Sequence, residues 1–276
     1  MTPSPQSLAL FYRIATSPLR TLPDFIILGA QKCGTSSLYG CLSQHPQVVP
    51  VHEKELHFFD LNFHRGVGWY RAQFPLWIHK RYEPLINRRS LVSGEASPYY
   101  LFHPHVPRRM AAIAPNAKLV ILLRNPVDRA YSHYHHNVRK RRESLSFAEA
   151  IRQEGNRLQG EQDRILNDDR YISNAHQHFS YLARGVYVDQ IRAFETFFPR
   201  EQILIVRSER LFEETNTAYR EVLDFLNLPL WCPKNFKPRN VNSYTQIEPA
   251  IRQQLQTYFA PHNQRLYAHL GTDFGW

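Results

Sequence analysis

The chain has 276 residues, of which 43% are hydrophobic and 13% aromatic, so it can bury a sizeable core and is not a disordered chain. We expect a single domain, because compact chains of this length commonly form one unit. The net charge of +10 predicts an anionic partner: a nucleotide, a nucleic acid, an acidic glycan or a membrane surface.

The N-terminal segment SLALFYRIATSPLRTLPDF carries a short apolar patch that is interrupted by Arg13 and Pro18. It has neither the long apolar core of a signal peptide nor the length of a membrane span. We therefore predict a short amphipathic or extended arm over residues 1–22, then a domain over residues 23–276, and no transmembrane segment. The cysteines are too few and too scattered for a disulfide scaffold or a four-ligand zinc site, so we expect a reducing compartment, the cytoplasm.

Apolar runs without polar alternation recur along the chain and predict strands that are buried on both faces. The runs are DFIILGA at 24–30, LVSGE at 91–95, KLVILLR at 118–124 and QILIVRSE at 202–209. Helical stretches lie between them, which is the pattern of parallel βαβ units. The predicted fold class is α/β: a doubly wound parallel sheet flanked by helices, with a turn like a P-loop after the first strand.

The segments between and after these runs predict helices and loops. Helices are predicted from near Gly34, at 127–141, at 186–198 and from about Glu248 to Leu270. The stretch 152–180 is polar with weak periodicity, which predicts a helical or irregular insertion whose role the sequence leaves open. Residues 229–249 are rich in Pro, Asn, Lys and Arg and predict a long loop, and loops of that length tend to be functional.

The segment LGAQKCGTSS at 28–37 places Gly29 and Gly34 between the first predicted strand and a helix. A strand, a glycine turn and a helix N terminus make an anion site, because free backbone N–H groups and the positive helix end face the ligand. A P-loop would have its lysine at position 35, where this chain has Thr35, and the lysine stands earlier, at Lys32. An ordinary βα turn with a solvated lysine would show the same glycine pair, so this turn alone does not decide the ligand.

A second turn follows the third predicted strand, which ends in Arg124. A nucleoside-triphosphatase holds Mg²⁺ with an Asp at the end of such a strand, whereas an arginine there invites a second phosphate. Ser132 follows eight residues later on the next predicted helix, and a guanidinium with a hydroxyl is a good clamp for a terminal phosphate. The sequence thus predicts two anion sites at the carboxyl ends of neighbouring strands, where open α/β sheets bind ligands.

These segments resemble the sulfotransferases that use 3′-phosphoadenosine 5′-phosphosulfate (PAPS). PDFIILGAQKCGTSSL is similar to their 5′-phosphosulfate loop, and KLVILLRNPVDRAYSHY is similar to their 3′-phosphate motif. The segments EKELHFFD, GEASPYY and APHNQRLYAHLGTDFGW resemble the branch that contains heparan sulfate and related carbohydrate sulfotransferases, including bacterial relatives. The resemblance covers nearly the whole chain from Pro23 and implies a PAPS-dependent sulfotransferase.

The resemblance also implies how the chain binds its sulfate donor. The residues that would bind the 5′-phosphosulfate are Lys32, Cys33, Gly34, Thr35, Ser36 and Ser37. Arg124 and Ser132 would bind the 3′-phosphate, and Lys237 and Arg239 would hold the nucleotide or an acidic acceptor. Because a phosphosulfate needs no bridging Mg²⁺, Lys32 would itself stabilise the charge that grows on the bridging oxygen, and no metal site is expected.

Transfer to a hydroxyl or amine requires a base that takes the proton of the acceptor, and HEKELHFFD at 52–60 offers candidates. His52 and His57 are five residues apart, which excludes the i, i+4 ligand pair of a His-Glu-x-x-His zinc site. The family resemblance places the catalytic carboxylate at Glu55, with His57 as the alternative base and His136 on the acceptor side. Without the resemblance, Glu55 would be interpreted as one carboxylate of a solvated acid–base run.

The predicted acceptor is a carbohydrate or glycolipid, and the predicted nucleotide product is adenosine 3′,5′-bisphosphate. Ala96 stands where enzymes that sulfate glycosaminoglycans often have a lysine, so the sequence does not identify the acceptor. A P-loop kinase using ATP and Mg²⁺ is the alternative enzyme, disfavoured by the position of Lys32 and by Arg124 at the strand end. A nucleic-acid-binding protein is the non-enzyme alternative, suggested by the net charge and by RKRR at 139–142, a run that also suits the C-terminal end of a helix.

Overall fold

The computed structural model describes residues 5–87, 90–232 and 245–276. Its centre is a five-stranded parallel sheet in the order β2-β3-β1-β4-β5. The strands are β1 Phe25–Gly29, β2 Val48–Pro50, β3 Val92–Ala96, β4 Lys118–Leu123 and β5 Ile203–Arg207. Because β1 lies between β3 and β4, the chain builds one half of the sheet and then crosses to the other. The predicted doubly wound α/β fold is confirmed.

Helices connect the strands and flank the sheet. In the described part of the chain they are α1 Pro5–Ala15, α2 Thr35–Leu42, α3 Gly66–Ala72, α4 Trp77–Asn87, α5 Val106–Ile113, α6 Pro126–Arg139, α7 Phe147–Leu158, α8 Glu161–Asn167, α9 Asn174–His178, α10 Tyr187–Glu195, α11 Ser208–Glu213, α12 Thr215–Phe225 and α13 Pro249–Leu270. Among these described helices, none combines the length and the apolar character that crossing a bilayer requires.

The four predicted strands and the predicted helices are confirmed to within a few residues, and the stretch 152–180 is largely helical, because it holds the end of α7 together with α8 and α9. Strand β2 was not predicted, since three residues are too short for a periodic signal. Within the predicted loop 229–249, residues 233–244 lie outside the described residues. The division at residue 22 stays a prediction; in the arm, Arg13 Nε donates to the carbonyl of Ala72 at 2.6 Å.

The sheet core explains why the functional segments come together. Strand β1 is fully buried, and Ile27 is paired with Ala96 of β3 on one side and with Val120 of β4 on the other. Apolar side chains from α2, α5, α10 and α12 pack in the same core as these strands. The carboxyl ends of three parallel strands therefore meet at one edge of the sheet, which is the position of ligand sites in this fold class.

Candidate functional site

The turn after β1, residues 30–34, which we name the phosphate turn, has the backbone of an anion site. Strand β1 ends at Gly29, and α2 begins at Thr35 after Gly34, which has a φ of 90° and offers no side chain to cap the helix. Lys32 in the same turn also has a left-handed φ, of 72°. A Cβ added at Gly34 would lie 3.1 Å from the ring of Phe212, so both the conformation and the packing favour glycine. The N terminus of α2 is thereby left to attract an anion.

Positive charge is concentrated at this turn. Burial lowers the pKa of the Lys32 ammonium, and the charges of Arg139 and Arg124 lower it further. Arg124 Nη1 donates to the carbonyl of Lys32 at 3.4 Å, so the predicted 3′-phosphate residue lies beside the predicted phosphosulfate turn. A partly desolvated group of cations is stabilised by a bound anion. The two turns that the sequence predicts to bind anions therefore lie next to each other and form a cationic surface.

Hydrogen bonds tie the loops after β1, β4 and β5 to one another. Ser208 Oγ, after β5, donates to the carbonyl of Cys33 at 2.8 Å. The hydroxyl of Tyr187 donates to the carbonyl of Arg124 at 2.8 Å. The backbone N–H of Asn125 donates to Glu209 Oε1 at 2.8 Å. The geometry of the cationic surface is thus set by three strand ends rather than by one flexible loop.

The remaining predicted nucleotide residues lie on two helices. Thr35 and Ser37 are buried and Ser36 is half-buried in the first turn of α2, and Ser132 is buried on α6. Burial raises the pKa of the Cys33 thiol to about 11, so Cys33 is uncharged at neutral pH and offers its backbone. Lys237 and Arg239 lie outside the described residues.

A cavity of about 390 Å³ opens beside Arg124. Its lining includes Asp128 and Tyr131 of α6 and Arg252 of α13. Arg252 Nη2 donates to Asp128 Oδ1 at 2.7 Å, which connects the last helix to the helix that follows β4. The cavity is large enough for part of a nucleotide and lies next to the predicted 3′-phosphate residue.

Residues 55–60, which we name the strap, carry the predicted base. Glu55 and His57 have left-handed φ angles of 49° and 47°, which are uncommon for residues with a Cβ and cluster at functional sites. His57 Nδ1 lies 2.8 Å from Asp60 Oδ2, and His57 Nε2 lies 3.9 Å from Glu55 Oε2. The imidazole therefore stands between a buried carboxylate and one that is half exposed.

The electrostatics of the strap favour a charged imidazole. Burial alone would lower the pKa of His57, but the hydrogen bond to Asp60 and the charges of Asp60 and Glu55 raise it above its ordinary value. Asp60 was not singled out from the sequence, although its spacing of three residues from His57 was a usable signal. The side chain of Glu55 is 53% exposed and is accessible to an acceptor.

The strap is anchored to the segment that follows β3. The backbone N–H of His57 donates to Ser97 Oγ at 3.1 Å, and that of Phe58 donates to the hydroxyl of Tyr100 at 2.7 Å. The Phe58 ring is buried and stacks on Tyr70, with ring centroids 4.3 Å apart. The backbone N–H of Ser97 donates to the carbonyl of Ile27 in β1 at 3.3 Å. These contacts place the strap at the same edge of the sheet as the phosphate turn.

His136 lies on α6 and interacts electrostatically with Lys32 of the phosphate turn rather than with the strap. Burial, followed by the charges of Lys32 and Arg139, lowers the pKa of His136 to about 4. Arg139 lies one turn further along α6, with Nη2 3.5 Å from His136 Nδ1. At neutral pH His136 is therefore uncharged and lies near Lys32. His57 instead lies beside Glu55.

The insertion after α6 supports the phosphate turn, a role that the sequence did not indicate. Arg184 Nη1 donates to Oε1 of Gln31 at 2.8 Å, one residue before Lys32. The carboxylate of Glu154 on α7 accepts the backbone N–H groups of Leu182 at 2.7 Å and Ala183 at 2.8 Å. Helix α7 thus holds the turn that presents Arg184 to Gln31.

Comparisons with known proteins identify the family. A family model described as Sulfotransferase domain matches residues 22–258. The chain is 28% identical to the membrane-associated sulfotransferase kil1 of Dictyostelium discoideum, over 94% of this chain and 67% of that protein. It is 29% identical to heparan sulfate glucosamine 3-O-sulfotransferase 3B1 of Mus musculus, over 99% of this chain and 69% of that protein.

A solved structure gives the same result. The sulfotransferase from Alicyclobacillus acidocaldarius is 33% identical and superposes with a TM-score of 0.68, covering 92% of this chain and 98% of that one. The matches span most of the chain and confirm the resemblance that its motifs predict: this chain belongs to the sulfotransferase domain family.

Proposed function

We propose that the chain transfers the sulfuryl group of PAPS to a hydroxyl or amine of a carbohydrate or glycolipid and releases adenosine 3′,5′-bisphosphate. The observation that carries the proposal is the half-buried Lys32 in the turn before α2, with the guanidinium of Arg124 donating to its carbonyl at 3.4 Å. Family membership supports sulfuryl transfer, and this cationic surface supports a donor with phosphate groups at both ends of its nucleotide.

The residues present fit such a donor. The phosphosulfate would be held by the N terminus of α2, the Lys32 ammonium and the hydroxyls of the first turn. The 3′-phosphate would be held by Arg124 and Ser132, with Lys237 and Arg239 as further cations. Arg129, buried beside this surface, has guanidinium nitrogens Nε and Nη1 without a partner among the described residues. A nearby anion would offset that buried charge.

Lys32 would stabilise the transition state. When bound, the donor supplies a sulfuryl group whose bond to a phosphate oxygen breaks. The Lys32 ammonium would face the growing negative charge on that oxygen, and its partial burial would strengthen the interaction. Its lowered pKa also favours proton donation to the leaving oxygen.

Glu55 would take the proton of the acceptor as the acceptor attacks. Its carboxylate is the exposed member of the strap, and His57 lies 3.9 Å behind it with Asp60 fixing the ring through Nδ1. His136, and His57 in its neutral form, are the alternative bases. His57 is in direct reach of Glu55, and His136 is near Lys32, so each could contact an acceptor placed between the strap and the phosphate turn.

The acceptor class is proposed from relatives and from charge. Relatives named as heparan sulfate glucosamine 3-O-sulfotransferases cover almost all of this chain, which favours a carbohydrate. The exposed cations Arg139, Lys140 and Arg142 follow His136 at the end of α6 and suit an acidic sugar chain.

The test is transfer of label from ³⁵S-PAPS. Purified chain is incubated with desulfated heparan sulfate, with N-sulfated heparosan and with a glycolipid extract, and labelled products are separated and digested. We expect transfer to one class without added Mg²⁺, and heat-denatured chain serves as the negative control. A parallel arm with ATP and Mg²⁺ tests the kinase alternative. No transfer, together with no binding of adenosine 3′,5′-bisphosphate, would overturn the proposal.

A further inference from the structure

A carboxylate that the proposed chemistry does not use is buried beneath the strap. Glu95 is 0% exposed near the end of β3. Its oxygens accept three hydroxyl hydrogens, from Tyr70 at 2.7 Å, Ser97 at 2.9 Å and Tyr100 at 3.1 Å. No lysine or arginine is paired with it among the described residues. A buried acid held only by neutral hydroxyls is uncommon.

Two of these hydroxyls also hold the strap. Ser97 Oγ accepts the backbone N–H of His57, and the Tyr100 hydroxyl accepts that of Phe58. A hydroxyl has one hydrogen, and a hydrogen given to a carboxylate leaves only lone pairs for other partners. The ionised Glu95 carboxylate accepts only, so in this form it directs both hydroxyl hydrogens inward and both lone pairs toward the strap.

We propose that Glu95 is a positioning residue that sets the hydrogen-bond polarity of Ser97 and Tyr100 and thereby holds Glu55 and His57 in their left-handed conformations for sulfuryl transfer. The expected effect on sulfuryl transfer rests on the proposed function. The expected effect on the conformation of the strap rests on the hydrogen bonds alone. Each anchored amide belongs to the strap, one at His57 itself and one at the next residue. If the hydroxyl hydrogens of Ser97 and Tyr100 no longer pointed toward Glu95, both strap amides would lose their hydrogen-bond acceptors.

The decisive variant is Glu95→Gln, which keeps the shape but replaces one accepting oxygen by a donating NH₂ group. That NH₂ group must donate to a hydroxyl, and the hydroxyl then turns its hydrogen away from Glu95 and toward the strap amide. The matched control is Tyr70→Phe. It removes one hydroxyl from Glu95 but leaves Ser97 and Tyr100 in place.

Two readouts are measured on each variant. Amide hydrogen exchange of the peptide that contains the strap is followed without any substrate, and kcat and the Kd for adenosine 3′,5′-bisphosphate are measured separately. We expect Glu95→Gln to expose the strap amides to exchange and to lower kcat by up to about 100-fold, with an unchanged Kd. Tyr70→Phe should retain both the protection and most of the rate.

Further variants keep the inference testable if Glu95→Gln does not fold. Ser97→Ala and Tyr100→Phe should each deprotect the strap, and Glu95→Asp, which restores a carboxylate, should recover part of the rate. A folded Glu95→Gln variant with protected strap amides and normal kcat would overturn the inference. Hydrogen exchange needs no substrate, so the two proposals can fail separately. If Glu95→Gln loses protection of the strap amides while the wild type itself shows no sulfuryl transfer, the proposed function is contradicted and the positioning role of Glu95 is not.

Discussion

The guanidinium of Arg184 donates from Nη1 to Oε1 of Gln31 across 2.8 Å and so joins the turn before α10 to the phosphate turn after β1. Arg184 is fully buried and its other nitrogens donate to Ser180 Oγ at 2.8 Å and to the carbonyl of Gln177 at 2.6 Å. Its position is therefore fixed independently of Gln31. The phosphate turn is held against a rigid donor.

Gln31→Ala removes the acceptor of this hydrogen bond and leaves the buried Arg184 in place. We expect affinity for adenosine 3′,5′-bisphosphate to fall by about 1 kcal/mol, the typical net value of one hydrogen bond, because the turn loses its alignment. Isothermal titration measures this directly. Gln254→Ala, at an exposed position of α13, is the control and should bind normally. Equal affinity of the two variants would show that the contact does not align the turn.

Arg124→Ala tests the predicted 3′-phosphate clamp. Hydrogen bonds to charged groups contribute about 1.5 to 3 kcal/mol, so binding of adenosine 3′,5′-bisphosphate should weaken by that free energy, a rise in Kd of roughly 10- to 160-fold, in the absence of added metal. The exposed Arg192 of α10 provides the control, since Arg192→Ala removes the same charge from a solvent-exposed position outside the proposed site. An Arg124→Ala variant that binds like Arg192→Ala would move the 3′-phosphate elsewhere.

The sequence predicted the parts of the site that are local. Buried apolar runs indicate β1 and β4, and the glycine turn and the arginine at the strand end lie directly after them, so Lys32 and Arg124 follow from short-range patterns. Their proximity follows from the parallel sheet. The family resemblance then supplied Glu55, whose exposed charge alone carries no signal.

The supporting residues could not be predicted, because their roles arise from contacts between distant segments. Arg184 is 153 residues from Gln31, and Ser97 is 40 residues from His57. Glu95 lies in the predicted strand LVSGE, where a charged residue is usually taken as solvent-facing. Glu95 is buried as a hydrogen-bond acceptor because α3 and the strap pack over the end of β3.

The buried Glu95 should also make stability depend on pH. Burial raises its pKa to about 7 from an ordinary 4.5, although its three hydroxyl donors lower it. The folded state therefore holds this proton more tightly than the unfolded state, so the stabilisation is fully present below about pH 4.5 and is lost as the pH rises through 7. The titratable groups that face Glu95 are Tyr39 of α2, Tyr70 of α3, Tyr100, and His57 and Asp60 of the strap.

Urea unfolding of the wild type and of Glu95→Gln between pH 4.5 and 8 isolates this effect. The difference in unfolding free energy, wild type minus variant, should fall by about 3 kcal/mol over that range, from the linkage of about 1.4 kcal/mol per pKa unit. Glu53→Gln, at an exposed position just before the strap, should give a difference that does not change with pH. A flat difference for Glu95→Gln as well would mean that Glu95 is not buried as an acid in solution.

Lys32→Ala should lower kcat far more than it weakens nucleotide binding, because the ammonium is proposed to act on charge that develops only in the transition state. Comparison of kcat with the Kd for adenosine 3′,5′-bisphosphate separates the two effects. Arg192→Ala, at an exposed position of α10, is the charge-matched control. If Lys32→Ala weakens nucleotide binding but leaves kcat unchanged, Lys32 is a binding residue only.

Glu55→Gln tests the proposed base, and loss of a general base typically costs about 10²- to 10⁴-fold in rate. The variant keeps the shape of the side chain and removes its proton-accepting charge, so binding of adenosine 3′,5′-bisphosphate should be unchanged while kcat falls. Glu53→Gln should retain activity, because it removes an equal charge two residues away. His57→Asn and His136→Ala are measured beside them, since either imidazole could take the same proton. A folded Glu55→Gln variant with near-normal turnover, beside an inactive His57→Asn or His136→Ala variant, would transfer the role of base to that histidine and leave the family assignment intact.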